Sequence, residues 1–223
     1  MIDQPNTEGQ LDAVERGLGI TEKDEATAIV STISQVYATT VEDLWDACTN
    51  TDRLPRWFAP VSGDLQRGGR YQVENNAGGT VTACDPPKSF SATWEYGEST
   101  SDITVRIEQA GDGARLTLEH RGDVPKDFWA TYGPGATGVG WDLAFLGLAL
   151  HITTGAPRPP ESDEWVQTDQ YRQFVAEVSR RWADASVAAG MPESDARGAE
   201  ARTTAFYRGD EVAASDESQQ GQP

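Results

Sequence analysis

From Ala26 to Ala38 the sequence ATAIVSTISQVYA is rich in β-branched residues, and Ile29, Ile33 and Tyr37 share one parity. A period of two over that length predicts a strand with one face toward a core. The period then changes. In TTVEDLWDACT, Val41, Leu44, Trp45 and Cys48 recur at helical spacing behind Thr40, whose hydroxyl can cap a helix. TDRLPRWF predicts a second, short helix, because Pro55 in its first turn removes no needed backbone donor.

Between Val61 and Arg121 the period returns to two. VSGDL, RYQVENN, GTVTACD, SFSATWEY, SDITVRIEQ and ARLTLEHR are short β-rich runs, separated by NNAGG, DPPK, YGEST and AGDGA. Gly and Asn reach positive φ and Pro stops a strand, so these separators are turns. With the first strand they predict six or seven mostly antiparallel strands. Phe90, Ala92, Trp94 and Tyr96 share one face, as do Ile103, Val105 and Ile107, so one side of the sheet needs a cover.

The cover follows in the chain. After the Gly/Pro-broken stretch DVPKDFWATYGPGATG, the run GWDLAFLGLALHITTG predicts a helix that ends near Gly155. Leu143, Leu146 and Leu150 form one stripe; Trp141, Phe145, Leu148 and Ile152 form another. A helix apolar nearly all round is buried on two sides. Tyr171, Phe174, Val175, Val178, Trp182 and Ala185 then recur at helical spacing, and residues 192–207 read as a poorer helix. The organisation expected is a flexible leader (1–24), an α+β domain (25–155), a linker (156–164), a helical extension packing on the long helix (165–208) and a disordered acidic tail (209–223).

A net charge of −18 over 223 residues excludes a nucleic-acid or anionic-membrane partner, because phosphate is repelled. Cys48 and Cys84 form no CxxC, so neither a disulfide framework nor a zinc site is expected. The N-terminus is polar and the apolar run from Val139 to Ile152 is shorter than the roughly 20 residues of a membrane span. A cytoplasmic location is the expectation.

The order strand, two short helices, about six antiparallel strands and a long helix is a helix-grip arrangement. The segments TNTDRLPRWFAP, GDLQRGGRYQVE, GTVTACDPPKSFSATWEY, GARLTLEHRG and GVGWDLAFLGLALHI, in that order, resemble the START-like (SRPBCC) superfamily. They look most like its branch related to the C-terminal domain of the activator of the heat-shock-protein-90 ATPase. The resemblance spans roughly residues 25–155. It implies a bent sheet gripping the long helix, a cavity between them, and an apolar small molecule as ligand. The chain departs from the co-chaperone in lacking that protein's separate N-terminal domain, and it carries an extension the minimal domain does not need.

Candidate cavity residues are Trp57, Phe58, Tyr71, Trp94, Tyr96, Trp141, Phe145 and Leu148, which converge from the helix pair, the sheet and the long helix. Arg70 and Asp142 are candidate polar anchors, able to pair with each other or with a ligand, and Asp142 near a helix start suits the dipole. His120 reads as a sheet residue whose side chain leaves Glu119 and Arg121 on the other face. A cationic His151 suits a helix C-terminus. No HExxH, GxSxG, GxGxxG or P-loop is present. No catalytic residue, metal or cofactor is therefore expected. The leading expectation is non-catalytic binding of a small apolar or amphipathic molecule. The alternative is a protein-interaction, co-chaperone-like module, and a cyclase or hydrolase is third.

Overall fold

The computed structural model describes residues 6–155, 157 and 164–210. Most of the expected linker (156–164) and acidic tail (209–223) lies outside the described residues. Only their ends are seen: a 3-10 turn at Glu164–Gln167, Gly209 capping the helix Glu193–Arg208, and Asp210 accepting from Arg172.

The chain forms one eight-stranded antiparallel sheet in the order β1-β2-β8-β7-β6-β5-β4-β3. Its strands are β1 (Glu15–Glu22), β2 (Ala26–Tyr37), β3 (Val61–Gly63), β4 (Arg70–Val73), β5 (Gly78–Asp85), β6 (Ser89–Tyr96), β7 (Ser99–Ala110) and β8 (Gly113–Pro125). The helices are α1 (Thr7–Ala13), α2 (Val41–Thr49), α3 (Leu54–Trp57), α4 (Lys126–Tyr132), α5 (Gly135–Thr154), α6 (Asp169–Ala188) and α7 (Glu193–Arg208).

Residues 7–22, expected as a leader, instead form α1 and the edge strand β1. Val14 is buried, while Arg16, Leu18 and Ile20 are half-buried on alternate positions and Gly17 and Gly19 face out. Those two glycines blunt the strand propensity. Pairing along the whole of β2, from Glu15 opposite Ser34 to Glu22 opposite Thr27, supplies what propensity lacks.

β2, β8 and β7 are the long strands, and their inward parity (Ile33, Tyr37, Val105, Ile107, Leu116, Leu118) meets α5 and α2 in one core. Thr40 caps α2 by accepting from the Asp43 amide at 3.2 Å, and α2 buries Leu44, Ala47 and Cys48. A smaller core of Tyr71, Val73, Val81, Ala92 and Ile103 lies under the other half of the sheet. Burying a Leu or Phe side chain stabilises by about 1.5–3 kcal/mol, so fully buried Leu44, Phe145, Leu148 and Phe174 carry much of the fold.

α5 begins earlier than its apolar pattern, at Gly135, and ends at Gly155 in the left-handed region (φ 68°). Its glycine-rich first turns admit the extension. A Cβ on Gly138 would lie 2.5 Å from the Trp182 ring of α6, so only glycine allows that approach. By length and composition α5 would suit a membrane span; 61% of its most apolar 18-residue stretch lies buried inside the protein.

Candidate functional site

α2 and α3 set the first wall. The Trp57 indole donates to the Ala47 carbonyl at 2.9 Å, which pins α3 on α2 and turns Trp57 into the main core. Phe58 follows at the helix end with φ −114° and ψ −92°, so its ring leaves α3 on another side. It stacks on Trp141 of α5, with centroids 6.2 Å apart and planes 17° apart. Trp94 of β6 meets Trp141 at 5.1 Å. Phe58, Trp94 and Trp141 are each half-buried, and they join the smaller core at its margin.

His120 of β8 stands against both indoles, 5.9 Å from Trp141 and 6.3 Å from Trp94. The Trp141 indole donates to His120 Nδ1 at 3.2 Å, and His120 Nε2 lies 2.7 Å from Ser101 Oγ. An indole N–H only donates, so Nδ1 must be the bare nitrogen and Nε2 carries the proton. Ser101 Oγ therefore accepts from Nε2 and donates to the Trp94 carbonyl at 3.1 Å. Both histidine nitrogens and the serine proton are committed. Burial lowers the imidazole pKa to about 4, with the Asp102 charge opposing. At neutral pH this is an uncharged, fully bonded ring.

The remaining expected residues fall elsewhere. Phe145 and Leu148 lie in the main core, Phe145 against Tyr37 at 6.3 Å. Tyr71 is buried in the smaller core, and its hydroxyl donates to the Thr93 carbonyl at 2.6 Å; burial pushes its pKa up to about 12. Tyr96 is 64% exposed at the tip of the β6–β7 hairpin, beyond the reach of the cover. Arg70 does not meet Asp142. It is exposed and donates to Glu95 at 2.8 Å, on the outer side of the sheet.

Asp142 lies about two turns inside α5 rather than at its start, with 0% exposure. Its carboxylate accepts two hydrogen bonds from Arg16 of β1 and one from the Trp182 indole of α6 at 2.8 Å. Burial raises its pKa, opposed by the Arg16 pair. The group is spent on joining three elements. His151 is also not a cation at the helix end: burial first, then Arg53 and Arg56, lower its pKa, and its Nε2 accepts from Arg53 at 3.3 Å.

The reading of single residues missed Arg16, Ser101 and Trp182 as polar partners. Only His120 left a usable signal, since its parity with Leu116 and Leu118 aims it at the gripped helix.

An antiparallel sheet wrapped about one apolar helix, with rings at its margin and no free acid–base group among them, defines a helix-grip protein of the START-like class. A family model described as "Activator of Hsp90 ATPase homolog 1-like protein" matches residues 38–151, and the chain belongs to that family. The crystal structure of CalU16 from Micromonospora echinospora is similar at 29% identity, covering 78% of this chain and 98% of that one, with a TM-score of 0.60. Its solution NMR structure gives 28%, 85%, 100% and 0.64. A conserved protein of unknown function, EF2215 from Enterococcus faecalis, shares the fold at 16% identity (80% and 95% covered, TM-score 0.56). No curated protein matches.

Proposed function

We propose that this protein binds a small apolar or amphipathic molecule, without chemistry, at the rings of Phe58, Trp94 and Trp141. The observation that carries the reading is their convergence: Phe58 and Trp94, from two other elements, lie 6.2 and 5.1 Å from Trp141 of α5, and all three rings stay half-buried rather than fully enclosed. Aromatic side chains that stay part-exposed around a shared centre are the usual lining of small-molecule sites. The locked, neutral His120 supports binding over catalysis, because a general acid or base needs a transferable proton near the working pH. The Tyr71 hydroxyl, held by Thr93, leaves recognition to apolar contact.

NMR titration with naphthalene, indole and decanol tests this. Binding should move the Trp94 and Trp141 indole resonances together and raise the melting temperature. Unmoved indoles with every probe would sink the reading.

A protein partner is the second reading, favoured by one feature. Phe128, Tyr132 and Phe206 form a chain of rings with centroids 5.2 and 5.9 Å apart, and Phe128 and Phe206 are 47% and 61% exposed. Exposed apolar patches of this kind mark interaction surfaces. The family's description, which names an ATPase activator, supports the same reading.

A further inference from the structure

A cleft of about 750 Å3 opens between β1, α4 and the α6–α7 turn, sharing no lining residue with the aromatic cluster. Of its lining, only Trp129 and Ala130 belong to the residues the family model matches; the rest comes from the N-terminal strand and the extension. Ile20, Trp129 and Met191 give it apolar walls. Glu22 and Asp195, both exposed, set carboxylates along it.

Arg202 is the cleft's cation. Its Nε donates to the Thr131 carbonyl at 2.7 Å and its Nη2 to the Ala130 carbonyl at 2.9 Å, which fixes the guanidinium in place. Those acceptors are neutral, and Arg202 forms no ion pair among the described residues. Arg56, Arg67 and Arg208 likewise form no ion pair among the described residues, but of these four arginines only Arg202 lines the cleft. Gly198 lies beneath the guanidinium: a Cβ there would approach Nη2 and Nη1 to 3.2 and 3.3 Å. The glycine keeps that face of the group uncovered.

We propose that this cleft is a second binding site, for a molecule with an apolar body and a single carboxylate that rests on Nη1 of Arg202. The volume lies within the range of small-molecule pockets, roughly 300–1,000 Å3. A half-buried, pre-positioned guanidinium offers a charge-assisted hydrogen bond with little ordering cost. The carboxylates of Glu22 and Asp195, within the field of a −18 chain, repel polyanions and so select one negative charge over several.

The test is a 1H–15N titration of the full chain with decanoate, decanol and decylamine. Decanoate should move amides 20–22, 129–131 and 190–202 and bind about ten-fold or more tightly than decanol. Gly198→Leu adds a helix-favouring side chain against the guanidinium and should erase that preference while leaving the fold intact. Equal binding of decanol, tighter binding of decylamine, or no shifts in those amides would each overturn the proposal. So would decanoate shifts confined to Phe58, Trp94 and Trp141, an outcome that leaves the first site standing.

Discussion

His120 is chemically ordinary until burial and its partners act on it. In the unfolded chain it titrates near 6.5, and in the fold near 4. Below pH 6.5 the unfolded state takes up a proton that the folded state refuses, so stability falls as the pH drops from about 6.5 to about 4 and then levels. The full effect is up to about 3 kcal/mol. Urea unfolding at pH 7.5 and pH 4.5 should show that loss in the parent and a smaller one in His120→Gln; parallel pH profiles would contradict it. Arg16 and Asp142 make the second residue-scale case. Their side chains are 5% and 0% exposed, so Arg16→Met strands a buried carboxylate and should cost about 3–5 kcal/mol. Adding Asp142→Leu should recover much of that in urea titrations. An equally damaged double variant would show that shape, not charge, governs the site.

At the scale of elements, close packing of α5 against α6 rests on absent atoms. Gly138→Ala drives a methyl into the Trp182 ring and should destabilise by about 1–3 kcal/mol, despite alanine's better helix propensity. Thermal unfolding decides the sign. Deleting residues 165–223 should uncover the side of α5 that α6 covers, remove Trp182 from Asp142 and raise dye binding; an unchanged melting temperature would separate the extension from the domain. These elements also show what periodicity can and cannot reveal. Parity in β6 and β8 and the stripes of α5 were enough to bring Trp94, Trp141 and the gripped helix together. Parity names a face but not how far the cover extends, which is why Tyr96 on the face of Trp94 ends in solvent. Glycines 17 and 19 hid β1, an edge strand held by its partner's backbone rather than its own pattern. Arg16–Asp142 and Asp142–Trp182 span 126 and 40 residues, distances over which local spacing carries no information.

Over the whole molecule, two cores meet beneath one sheet, and Phe58 and Trp141 pack against both. A guest that settled among these rings would touch α5 and both halves of the sheet at once, and so would stabilise the fold as a unit. At a hundred times its dissociation constant it would add about 2.7 kcal/mol to unfolding. Native mass spectrometry of the protein purified from its own host reads that guest directly. The account predicts a species heavier than the chain by one small molecule, lost on Trp141→Ala at a site away from Arg202. Protein of bare chain mass, with no indole shift against apolar probes, would contradict it.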